Sequence, residues 1–255
     1  MVGIRANARI IAVNKSLIPS IAAYPGSFAE AARALNDINC ERVHIDVVNG
    51  IRVGSLLVGD EFTTDVRNLF HGKVDLHLFG IENPALRIPP LCKGDTCILH
   101  VFPSTTEGEL VAAIKKVNQM GIEVGLALDI NTPATQILQF IDVVDVVLVM
   151  GIPIGARRLP LDKRALPIIA GFQSMMAGRT RQTRFGIDGG VNEVSFEALL
   201  TVTDFMVIGS LLFDGMDVRS RWKYLEGRIS MQTKNEQVAT TELRLPTNIR
   251  ERFVL

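Results

Sequence analysis

Three short stretches carry residues whose types and spacing suit chemistry at a common centre. In residues 42–50, His44 and Asp46 stand two apart in an apolar run that ends at Gly50. On a β-strand, residues two apart point to the same face. Asp75 and His77 repeat that spacing in residues 73–79, and Asp188 closes the run 184–188 just before Gly189 and Gly190. An imidazole beside a carboxylate at the carboxyl end of a buried strand makes a poor core and a good half of a metal site. Together His44, Asp46, His77 and Asp188 offer two imidazoles and two carboxylates. That set can hold one divalent ion and leave room for a substrate, and zinc, manganese, iron and cobalt all suit it. Such an ion stabilises the negative charge that forms when a carbon between a ketone and a hydroxyl loses its proton. Two carboxylates on opposite walls suit a symmetric transfer. One takes the proton from one face, the other returns a proton to the opposite face, and the carbon is inverted.

The three strand ends must be brought together by the rest of the chain. Strand-like apolar runs recur at 16–22, 42–48, 73–79, 96–102, 122–128, 143–150, 184–188 and 205–210, separated by stretches of helical pattern. Ser27 and Glu30 have the spacing of a capping box before an alanine-rich amphipathic helix that reaches about Asn39. Ser104 and Glu107 mark a second helix start, and Thr132 before Pro133 a third. A helix is expected at about 63–69. The aliphatic run 143–150 reads as a strand covered on both faces, as in parallel sheets. Eight strands with intervening helices predict an α/β fold of the (β/α)8 TIM-barrel type over residues 1–218. A doubly wound open sheet would want a G-x-G-x-x-G turn after its first strand, and residues 22–26 do not supply one. Residues 219–255 form a tail. It is helical and charged at 219–228, then polar, and is expected either to pack on the barrel or on a second subunit or to be a partly disordered tail.

Bulk properties narrow the partners. Hydrophobic residues make up 47% of 255, enough for a large core, and the net charge is zero. A neutral chain gives no support to a nucleic-acid or anionic-membrane surface. The three cysteines, Cys40, Cys92 and Cys97, show no paired spacing, which fits a reducing compartment. No run approaches the length of a membrane span, and residues 1–14 lack the pattern of a signal peptide. A cytoplasmic location is expected.

The ordered set of motifs resembles the ribulose-phosphate 3-epimerase family, metal-dependent barrels of the ribulose-phosphate-binding type. The matching pieces span roughly residues 16–215. They are residues 18–20 with Ser20, His44 to Asp46 with Gly50, Asp75 to His77, 82–84, Leu128 through Thr132 and Pro133, 143–150, Asp188 to Gly190, and Gly209 and Ser210 with Phe213. The resemblance implies that His44, Asp46, His77 and Asp188 hold one divalent ion, with Asp46 and Asp188 as the acid–base pair. It implies that Ser20 lies near the substrate, and Met150 reads as substrate-pocket lining or core. It also implies that backbone amides at Gly189, Gly190, Gly209 and Ser210 cradle a phosphate, as glycine-rich turns at this end of a barrel can. The implied activity is inversion beside the carbonyl of a ketose phosphate, ribulose 5-phosphate to xylulose 5-phosphate or a hexulose 6-phosphate such as allulose 6-phosphate. The implied assembly is a homo-oligomer.

Several positions depart from the family pattern. Val48 and Asn49 stand where it has methionine and aspartate, and Phe79 where it has methionine. Residues 52–59 lack its phenylalanine-valine-proline-asparagine run. After Met150 the asparagine-proline and glycine-rich phosphate loop is replaced by residues 151–159, which include Arg157 and Arg158. Either arginine could bind phosphate in place of the missing glycines. The rebuilt loop also motivates a second reading, a sugar-phosphate-binding protein without catalysis. A third is a lyase like hexulose-phosphate synthase or orotidine-phosphate decarboxylase, but His77 stands where that group needs a lysine. Of the remaining polar residues, His100 reads as a pocket wall or hydrogen-bonded core residue. His71 belongs to an exposed turn, Asp75 to a structural role one layer below His77, and Asp129 and Asn131 to loop polarity.

Overall fold

A computed structural model describes residues 15–48, 60–80, 88–176, 183–215 and 217–242. The loop 49–59, the expected turn at 82–84 and the tail beyond 242 lie outside these. Eight parallel strands are present: β1 (Ser16–Pro19), β2 (Arg42–Val48), β3 (Lys73–Phe79), β4 (Thr96–Val101), β5 (Glu123–Leu128), β6 (Val146–Met150), β7 (Arg184–Asp188) and β8 (Phe205–Ile208). They run in the order β1-β8-β7-β6-β5-β4-β3-β2, and a bridge from Ser20 to His44 brings the two edges together. The helices are α1 (Phe28–Asp37), α2 (Asp60–Leu69), α3 (Glu107–Gln119), α4 (Thr135–Leu138), α5 (Ala165–Met176), α6 (Phe196–Val202), α7 (Ser210–Phe213) and α8 (Val218–Glu242). This is the expected (β/α)8 barrel.

Alternation along the strands builds two apolar layers. Outward residues such as Val43, Ile45, Leu76, Leu78 and Leu99 pack with the helices. Inward residues Ile18, Ile98, Ala127, Val146, Leu148, Phe205 and Val207 fill the barrel. Each fully buried aliphatic side chain is worth about 1.5–3 kcal/mol, so this packing can carry a polar cluster inside the ring. The inward set on β2 is His44 and Asp46, and on β3 it is Asp75, His77 and Phe79. Helix α8 lies against the barrel: Leu225 is buried, and Trp222 and Ile229 pack beside it. Arg221 and Arg228 pair with Glu193, and Arg228 also with Glu197. The cysteines are free, and burial pushes the Cys40 and Cys97 thiols up to about 12, far from reactivity. No described helix is long and apolar enough to cross a membrane.

Several boundaries differ from the sequence expectation. β1 ends at Pro19, and Ile21–Ala23 form a 3-10 turn that buries Ile21. The capping box of α3 is Thr106 with Glu109, not Ser104 with Glu107. The turn after β4 decides between them, since Thr105 accepts from the Phe102 amide through its hydroxyl and donates its own amide to the Phe102 carbonyl. α4 begins two residues beyond Pro133. The Thr132 hydroxyl is occupied elsewhere, donating to the Val101 carbonyl at 3.2 Å. β6 starts at Val146 because the Val143 amide closes a turn onto the Phe140 carbonyl. β8 stops at Ile208, and Gly209 and Ser210 lead directly into α7.

Candidate metal and proton-transfer site

Strand register places the key side chains. Asp46 lies opposite His77 across β2 and β3, and His44 lies opposite Asp75. On the far wall, Asp188 at the end of β7 lies opposite Met150 at the end of β6. One donor atom from each of His44, Asp46, His77 and Asp188 falls within 4.8 Å of the others. The Nε2 of His44 is 3.4 Å from Asp46 Oδ1 and 3.7 Å from Asp188 Oδ2, and the Nδ1 of His77 is 3.2 Å from Asp46 Oδ1. Both imidazoles are wholly buried.

Whether this group suits an ion can be judged from its unpaired atoms. Among the described residues, the buried side-chain polar atoms without a hydrogen-bond partner are both nitrogens of His44, Nδ1 of His77, Nε2 of His100 and one oxygen of Gln136. Leaving such a group unpaired costs about 1–3 kcal/mol. His44 Nε2 and His77 Nδ1 lie beside two carboxylates without hydrogen-bonding them. Nitrogen and oxygen donors held this way suit a divalent ion.

The electrostatics separate the two carboxylates. Burial pushes Asp46 upward, but the His44 and His77 rings outweigh it and hold the carboxyl well below the usual range. Burial raises Asp188 to about 7, the Asp46 charge adding to the rise and His44 opposing it. Burial works against the His44 imidazolium, yet Asp46 and then Asp188 raise it to about 9. Burial lowers His77 and, further, His100, so both rings stay neutral. One carboxylate ionised and one holding its proton near neutrality is the pattern of a base and an acid set apart by environment.

A cavity opens above these groups. Asp46 and Asp188 line its floor, and Ser20, Met150, Gly189, Gly190, Gly209 and Ser210, all marked by the sequence, line its walls. Gly189 and Gly190 have φ of +87° and +73°, and a Cβ on them would come within 2.4 Å of Ile152 and 2.6 Å of Leu161. Backbone therefore faces the loop after β6 at close range, which only glycine allows. Arg157 is exposed at the rim, while Arg158 is held in a two-pronged pair with Asp214 at 3.0 and 3.1 Å. The two arginines that the sequence offered as equals are thus separated. Phe79, noted in the sequence as a departure from the family's methionine, also lines the cavity, and so does Asp214, whose one sequence signal was a carboxylate following Phe213. His100 is a hydrogen-bonded core residue behind His77, His71 is exposed, and Asp75 is paired with Arg42 below the site. Asp129 accepts from the Asn131 amide at 2.6 Å in its own turn.

The fold and its donor set place the chain among barrel enzymes that carry their chemistry at the carboxyl ends of the strands. Residues 15–213 match the model of the ribulose-phosphate 3 epimerase family. The chain is 24% identical over 220 residues to the chloroplastic ribulose-5-phosphate-3-epimerase of Arabidopsis thaliana, covering 84% of this chain and 78% of that one. It is 26% identical over 205 residues to the ribulose-phosphate 3-epimerase of Bacillus subtilis, covering 78% of this chain and 94% of that one. Among solved structures, Mycobacterium tuberculosis tryptophan synthase shares the fold, with a TM-score of 0.54 at 13% identity over 86% of this chain and 93% of that one. The chain belongs to the ribulose-phosphate 3-epimerase family and is an isomerase of the epimerase class. Its cofactor is one divalent metal ion, for which His44, Asp46, His77 and Asp188 form a fitting group.

Proposed function

We propose that the chain inverts the carbon beside the carbonyl of a ketose phosphate, with Asp46 and Asp188 as the two proton carriers. Their opposed electrostatics are the observation that carries this reading. Asp46, held ionised, takes the proton from one face of the carbon, and the bonding electrons move onto the carbonyl oxygen as an enediolate forms. Asp188, which holds its proton near neutrality, gives it to the opposite face, and the carbonyl re-forms. The reverse reaction exchanges the two roles. The bound ion would be held by His44, Asp46, His77 and Asp188 and would supply a positive charge beside the developing enediolate. Ser20 and Met150 flank the reacting sugar. The amides of Gly189, Gly190, Gly209 and Ser210 hold the phosphate, and Arg157 adds a positive charge in place of the missing glycine-rich loop.

The substrate is a pentulose phosphate, ribulose 5-phosphate with xylulose 5-phosphate as product, or a hexulose 6-phosphate such as allulose 6-phosphate. The protein acts as a homo-oligomer in the cytoplasm on a small-molecule substrate, without nucleic acid or membrane. Sedimentation is expected to give more than one chain per particle. Function is tested by offering ribulose 5-phosphate and allulose 6-phosphate in parallel to protein reconstituted with Zn, Mn, Fe or Co. Conversion of one supports the reading and selects the substrate. Conversion of neither by fully loaded protein would leave a sugar-phosphate binder, the reading that the rebuilt loop at 151–159 favours.

A further inference from the structure

His100 stands one strand beyond the donor group and is absent from it, yet its ring is in contact with it. Nε2 of His77 and Nδ1 of His100 are 3.0 Å apart, both rings wholly buried. At that distance one nitrogen carries the proton and the other accepts it. Phe79 stacks on His100 at 4.7 Å and 27°, and Phe102 covers it at 4.6 Å. Phe79 also lies 4.2 Å from His77. Phe79 stands where the resemblance expects a flexible methionine, so a rigid ring here packs both imidazoles. Nε2 of His100 has no partner at all. A buried apolar side chain would avoid that cost, so the ring should return something for it.

We propose that His100 is the positioning residue that makes His77 a metal ligand through Nδ1: the Nδ1 lone pair of His100 takes the Nε2–H of His77 and fixes both tautomer and ring angle. This rests on the reading that the four donors hold an ion. The opposite arrangement, with His100 donating, would put a proton on His77 Nδ1. That nitrogen sits 3.2 Å from Asp46 Oδ1 without forming a hydrogen bond to it. A proton there would sit beside Asp46 and occupy the nitrogen's lone pair, so it would block the ion. With His77 donating, the lone pair faces the three other donors and only the outer nitrogen of His100 is left unpaired. Ligating imidazoles ordinarily pass their second proton to a carboxylate, carbonyl or water, and losing such a partner costs about 10–100-fold in metal affinity. Here the acceptor is a second imidazole.

The test is calorimetric titration of metal-free protein with Co²⁺, comparing wild type, His100→Leu and His100→Asn, with melting curves to confirm folding. Asparagine keeps an acceptor near the Nδ1 position, and leucine keeps only bulk. The expected result is one ion per wild-type chain, binding about 10–100-fold weaker in His100→Leu, and most of that loss recovered in His100→Asn. In Zn²⁺-loaded wild type, long-range proton–nitrogen spectra should place the His77 proton on Nε2, a readout that needs no variant to fold. Wild-type affinity in His100→Leu, or a His77 proton on Nδ1 in loaded protein, would overturn this inference and leave the ion site standing. No stoichiometric binding by wild type would overturn the ion site and the inference together.

Discussion

The two ends of the barrel interior contain the same kinds of residue and treat them oppositely. At the amino ends of the strands, Asp75 pairs with Arg42, which also donates to Thr96 at 2.9 Å. Thr96 donates to Glu123 at 3.0 Å, and Arg184 closes the chain onto Glu123 at 2.6 Å. Asp95 accepts the amides of Val74 and Cys92 at 2.9 and 2.7 Å. At the carboxyl ends, His44 and His77 face Asp46 and Asp188 with three ring nitrogens unpaired. Asp75 and His77 are two residues apart on one strand face, yet they belong to different ends. Burial and residue type therefore do not mark a site. Unmet hydrogen-bonding capacity does, because a fold keeps such groups only where something else uses them.

If the comparison holds, substitutions at the two ends should separate activity from stability. The largest effect is expected at the mouth. Asp188→Asn should lower epimerase turnover by about 10²–10⁴-fold, the range for losing a positioned acid or base, while the melting temperature of metal-free protein holds or rises. Rate assays and calorimetric melts on the same preparation would check both. At the floor, Asp75→Asn should do the reverse. Breaking a buried ion pair costs about 3–5 kcal/mol, and the folded fraction should keep its activity. Equal damage to turnover by both variants would erase the distinction.

The next effect is pH dependence. In the metal-free protein His44 is raised to about 9, so near neutrality it holds a proton that an ion must displace. Affinity for Co²⁺ should therefore rise from pH 5 toward pH 9, with proton release visible as a dependence of binding heat on buffer. The sign for stability is opposite in the absence of metal. The contribution of Asp188, whose folded value lies above the ordinary 3.8, is present at low pH and is lost as pH rises through about 7. The smallest effect is at the rim. Arg157→Ala should raise KM about tenfold with little change in kcat, as expected for losing one charge-assisted hydrogen bond to phosphate. Arg158→Ala should do less, since Arg158 is engaged with Asp214.

The sequence made the barrel legible because short apolar runs recur between turn signals and stretches of helical pattern. It made the four donors legible because His44 and Asp46 share a strand face, His77 repeats that spacing after Asp75, and Asp188 ends its strand before two glycines. Boundaries shifted where two signals competed. Thr106 with Glu109 prevailed over Ser104 with Glu107 because the turn after β4 engages Thr105. The distinct fates of Arg157 and Arg158 were not legible. They depend on Arg158 adopting φ of +55° and reaching Asp214, 56 residues on. Nor was the His77–His100 contact legible, because nothing local ties two residues on neighbouring strands 23 apart.

The most direct test of the account is isotope exchange. Metal-loaded protein incubated with ribulose 5-phosphate in heavy water should place one deuterium at C3 of both epimers, and Asp188→Asn should slow formation of the second epimer by about 10²–10⁴-fold. Loaded protein that leaves C3 unlabelled, or Asp188→Asn protein that inverts it at close to the wild-type rate, would contradict transfer between two carboxylates.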